Sequence, residues 1–150
     1  MHALIGPRCL IAGGSVSLVL AALHVLIIAI GAPAYRYFGR ADLAEATLKG
    51  SLYPPLATLV VTITLVVWGL YAYSGAGVLR RLPLLRTGLF AISGIYLLRG
   101  LIVVLDAARW FKGEPYPPRQ AVFSATALVV GLCYAVGTWP LFRDAASRTR

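Results

Sequence analysis

Between Arg86 and Asp106 the chain reads TGLFAISGIYLLRGLIVVL, and Arg99 is the one charge within it. A helix crossing a hydrocarbon core of ~30 Å needs about 20 apolar residues, and this run meets that length with an arginine past its middle. A guanidinium at such depth costs ~2.5–3.5 kcal/mol on insertion scales, so it faces a protein interior or a wet cavity and finds a partner there. At about 100° per residue, Tyr96, Arg99, Val103 and Asp106 fall on one helix face. Asp106 stands seven positions from Arg99, roughly 10 Å along the axis, which makes it a distant partner. The competing reading is an anchor: a long stem that snorkels to the headgroups and carries no further role.

Composition agrees with a membrane setting. Hydrophobic residues make up 59% of the 150 and charged residues 13%, well below the roughly 25% charged content of soluble domains. One all-α domain of four transmembrane helices in an antiparallel bundle, covering 1–150, leaves no room for a separate soluble module. The net charge of +9 then reads as loops facing anionic headgroups. Nucleic-acid binding would need a clustered basic stripe with stacking aromatics, which the sequence lacks. Cys9 and Cys133 lie in separate apolar runs with no C-x-x-C and no ligand-like spacing, so neither thiol redox chemistry nor a structural zinc site is expected.

The spans are expected near 9–31, 53–74, 84–107 and 119–139. The first run is too long for a signal-peptide core of ~7–15 residues, despite Arg8 before it and Ala32-Pro33-Ala34 after it. Its Gly13, Ser17 and Ala21 recur every fourth position, a small-residue stripe of the kind that lets helices approach closely, and His24 continues the same side. In the segment 33–50, Asp42, Glu45, Lys49 and Gly50 punctuate one short helix near 43–49, lying along the interface with Tyr35, Tyr37, Phe38 and Leu43 dipping toward lipid or toward the helix ends. Pro54-Pro55 suits the first turn of the second span. The fourth carries a second stripe, Ala127, Gly131 and Ala135, and is expected to close at Trp139-Pro140.

Four spans put both termini on one side. Seven basic residues flank that side and six the other, and Arg80, Arg81 and Arg86 concentrate in one short loop. The positive-inside rule therefore places both termini in the cytoplasm of a multi-pass protein of the cell (inner) membrane. On this topology His24 and Arg99 share a depth, with Glu45 and Asp106 above them and Tyr96 nearby. These five residues form the candidate polar pocket.

Other chemistries lack their parts. A haem held by two histidines needs two rings at depth, and His2 is terminal; a Schiff base needs a lysine within a span, and Lys49 and Lys112 lie in loops. Ser15, Ser17 and Ser93 have no histidine and acid at helical spacing, which leaves nucleophilic catalysis without its partners. No cofactor is expected. The reading is a non-enzymatic structural or accessory subunit, docking in the bilayer on a copy of itself (a homo-oligomer) or in a larger membrane complex. The alternative is binding or transport of a lipid-like or small anionic ligand in an outward-facing pocket around His24 and Arg99.

Overall fold

Glycine and proline set the element boundaries. The computed structural model describes residues 5–113 and 118–147, apart from the side chains of Asp106, Trp110, Pro118 and residues 142–147. The elements are α1 (Ile5–Ile30), α2 (Ala32–Tyr37), α3 (Ala41–Leu48), α4 (Tyr53–Gly75), α5 (Leu85–Phe111) and α6 (Pro118–Ser147). Among the described residues, four stretches are long and apolar enough to cross a membrane: Ile5–Ile30, Tyr53–Gly75, Leu85–Arg109 and Arg119–Leu141. At 1.5 Å per residue they cover about 35–39 Å, enough for the hydrocarbon core with some tilt. The protein is a small, all-α, multi-pass integral membrane protein.

Three helices end in the same way. Gly39, Gly50 and Gly77 have φ of 81°, 75° and 79°, a left-handed conformation that glycine adopts without a Cβ penalty. Each passes its own N–H to the carbonyl three back, and the next residue bonds the carbonyl five back: Arg40 to Tyr35, Ser51 to Ala46, Val78 to Tyr73. This double closure satisfies carbonyls that a helix end would otherwise leave bare.

The chain divides into two compact units, Met1–Ser15 with Leu70–Arg150, and Val16–Gly69. In the second unit, Ile27, Ala32, Ala34, Tyr35, Leu43 and Ala44 form a buried cluster, with Leu23 and Phe38 against it. The connection therefore holds two short helices where one was expected: Pro33 in the first turn starts α2 directly after Gly31, whose φ of 75° turns the chain out of α1. Tyr35 and Leu43 are buried, whereas Tyr37 is exposed. Asp42 does not cap α3. The helix begins at Ala41, two residues before the expected start at 43, and the Asp42 carboxylate instead accepts two bonds from Arg40, at 3.0 Å and 2.8 Å.

In the first unit α5 and α6 lie antiparallel, and glycines set how closely they approach. A Cβ at Gly100 would stand 2.4 Å from the Leu128 Cα, and one at Gly131 would stand 2.8 Å from the Leu97 N. The start of α1 runs antiparallel to the far part of α6, with Gly137 against Leu10 and Gly13 beneath the Tyr134 ring. Here the fourth helix departs from expectation, since α6 continues through Pro140 to Ser147. Proline removes one N–H and crowds the carbonyl four residues back, but it does not forbid helix where neighbours pack around it. The Pro140 ring lies over Gly6, 3.2 Å from where a Cβ would be.

Candidate functional site

Arg99 stands two residues past Leu97, the midpoint of the span Leu85–Arg109, about 3 Å from mid-depth along the helix. Its side chain is exposed on the surface of the single chain. Gly100, the next residue, brings α5 against the backbone of α6 at Leu128. That crossing puts Ser124, one turn before Leu128, within reach: Arg99 Nη1 donates to Ser124 Oγ at 3.1 Å. A guanidinium has five N–H donors. Among the described residues, this is the hydrogen bond that Arg99 makes.

Further along the seam, Ser93 Oγ donates to the Gly131 carbonyl at 3.2 Å. The rings of Tyr96 and Tyr134 lie 5.6 Å apart, tilted by 31°, and both are buried. These two polar bonds cross the α5–α6 contact, each from a side chain that would otherwise leave donors bare in hydrocarbon. The second of the two needs the close approach that Gly131 permits.

Of the other expected pocket residues, His24 and Glu45 lie in the second unit and Tyr96 and Asp106 in the first. His24 is half-buried in the second unit, and its Nδ1 lies 2.8 Å from the Leu20 carbonyl. A carbonyl can only accept, so Nδ1 carries the proton and Nε2 is the nitrogen left for other chemistry. His24 and Arg99 belong to different units, and each makes its hydrogen bond within its own. Glu45 is exposed on α3. Tyr96 is buried among helices of the first unit, and the side chain of Asp106 lies outside the described residues.

The small-residue stripes are partly occupied within the chain. Gly13 accommodates Tyr134, Gly131 accommodates Leu97, Ser17, Ala21 and Ala127 are buried, and Ala135 is half-buried. Sequence reasoning missed Gly100 and Ser124, the two residues that define the surroundings of Arg99. The signal for Gly100 was its place beside the arginine; Ser124 stands alone in its run with nothing to mark it. Among the described residues, no three His, Cys, Asp or Glu side chains gather as a metal site would require. The chemistry available around Arg99 is charge and hydrogen bonding. Compared with protein-family models, with curated proteins and with solved structures, the chain gives no match in any of the three.

Proposed function

We propose that this protein is a non-enzymatic structural or accessory subunit of a membrane assembly, held to its partner through the side of α5 that carries Arg99. The observation behind the reading is a guanidinium near mid-span, exposed on the single chain, with Ser124 Oγ as its described acceptor. One hydroxyl does not neutralise a charge in hydrocarbon. A helix of another membrane protein, or of a second copy, that presents a carboxylate or free carbonyls would complete the coordination and exclude lipid from it.

Native electrophoresis after mild solubilisation tests this, with wild type compared against Arg99→Leu, Arg99→Lys and the surface variant Arg36→Leu. Wild type, Arg99→Lys and Arg36→Leu should migrate as a species larger than one chain, and Arg99→Leu as the monomer. If Arg99→Leu assembles like wild type, Arg99 snorkels to the headgroups and the docking role falls.

A further inference from the structure

A formed place for an anionic ligand lies in the first unit, where α4 turns into α5. This turn is held by side chains. Ser74 Oγ donates to the Arg80 carbonyl at 2.8 Å and accepts the Leu82 N–H at 3.0 Å, and Tyr71 Oη donates to the Pro83 carbonyl at 3.1 Å. Ser74 is buried, and Tyr71 can reach the turn because Gly88 leaves room for its ring. The backbone on either side of Arg81 is therefore fixed before any ligand arrives, which lowers the ordering cost of binding. Leu84 completes the turn with φ of 53°, a left-handed conformation that a non-glycine residue rarely adopts.

Beside this turn is an open cavity of about 380 Å³, within the range of small-ligand sites. Arg81, Arg86 and Thr87 line it together with Leu84, Leu85 and Leu141. Neither arginine is in an ion pair among the described residues. Two guanidinium groups and a hydroxyl match phosphate oxygens, which arginine binds in bidentate fashion. The leucines match a ligand with an apolar body attached to its anionic group. The cavity also sits where the span Leu85–Arg109 begins and Arg119–Leu141 ends, at the level of lipid headgroups. Leu84 is 79% exposed and lines the cavity with those charges.

We infer that this cavity binds the phosphodiester headgroup of an anionic phospholipid, with Arg81 and Arg86 on the phosphate and Leu84, Leu85 and Leu141 along the glycerol and upper acyl region. This differs from a diffuse charge anchor, in which basic residues at any position contribute alike.

The full chain, reconstituted in phosphatidylcholine bilayers, is titrated with spin-labelled phosphatidylglycerol and, separately, with spin-labelled phosphatidylcholine. Wild type should prefer the anionic lipid. Arg81→Gln/Arg86→Gln should lose about 30-fold of that preference, about fivefold per arginine. Arg81→Lys/Arg86→Lys should keep part of it, and Arg36→Gln/Lys49→Gln should keep nearly all. Both arginines are exposed, so the variants should retain wild-type helicity and melting. Equal losses from the two Gln pairs would reduce the site to general charge attraction. Displacement of the lipid by excess inorganic phosphate would assign the site to a free anion, and the absence of any preference in wild type would remove it.

Discussion

Tyr35 is 3% exposed, and the direction of its hydrogen bond follows from its neighbours. Thr58 Oγ1 donates to the Pro54 carbonyl at 2.8 Å, so its hydrogen is committed and it accepts from Tyr35 Oη at 2.9 Å. Tyr35→Phe removes one donor and leaves Thr58 with its own bond intact. The expected cost is about 1 kcal/mol, read as a lower denaturant midpoint in detergent. An unchanged midpoint would mean that the bond contributes nothing to docking α2. Asp42 is the residue to titrate. The charge-assisted bonds from Arg40 hold its carboxyl below the ordinary carboxylate range, and Arg40 in turn is raised. Because the folded value is depressed, the stabilising contribution is present above the unfolded value and is lost as pH falls through the folded one. Both side chains are more than half exposed, so the effect on stability is small and screened by salt. The carbon-13 carboxyl shift of Asp42 should titrate below the usual ~3.9 in wild type and return to it in Arg40→Gln.

At the scale of elements, two glycines of α5 make opposite predictions. Gly100→Ala would put a Cβ 2.4 Å from the Leu128 Cα. The obstacle is backbone, which cannot rotate away, so α5 and α6 must separate and the Ser124–Arg99 bond stretches with them. Overpacking of this kind costs roughly 1–3 kcal/mol. Gly94→Ala meets nothing within 4 Å, and alanine is the better helix former by up to ~1 kcal/mol. Thermal melts in one detergent should show Gly100→Ala below wild type and Gly94→Ala level with it or above. The reverse order would mean that α5 and α6 meet on other faces.

For the whole molecule, the topology makes a prediction about sides. Val78 in the α4–α5 turn and Leu48 at the end of α3 are both exposed and stand at opposite ends of the second span. With Cys9 and Cys133 replaced by serine, Val78→Cys should react with an impermeant thiol reagent from the cytoplasmic side, and Leu48→Cys from the other side. Reversed labelling would invert the orientation. Labelling of both from one side would remove the span between them.

Span number and approximate limits were legible in the sequence because they depend on local quantities: the length of an uninterrupted apolar run against a ~30 Å core, and the prolines and glycines that begin and end helices. Arg99 was legible for the same reason, as a charge that the run cannot solvate. What surrounds it was not. Ser124 and Leu128 reach α5 only because α6 returns antiparallel at a rotation set by Gly100 and Gly131, and one residue of difference turns a helix face by about 100°. Gly13/Ser17/Ala21 could be recognised as a packing stripe, but that Tyr134 covers Gly13 depends on an encounter between the two ends of the chain. The arginine cavity has the same origin: Arg81 and Arg86 are sequence neighbours of a turn, whereas Leu141 comes from the last helix. Tertiary structure decided each of these, because contacts between helices are fixed by rotation and crossing, and neither is written in the hydropathy of a single span.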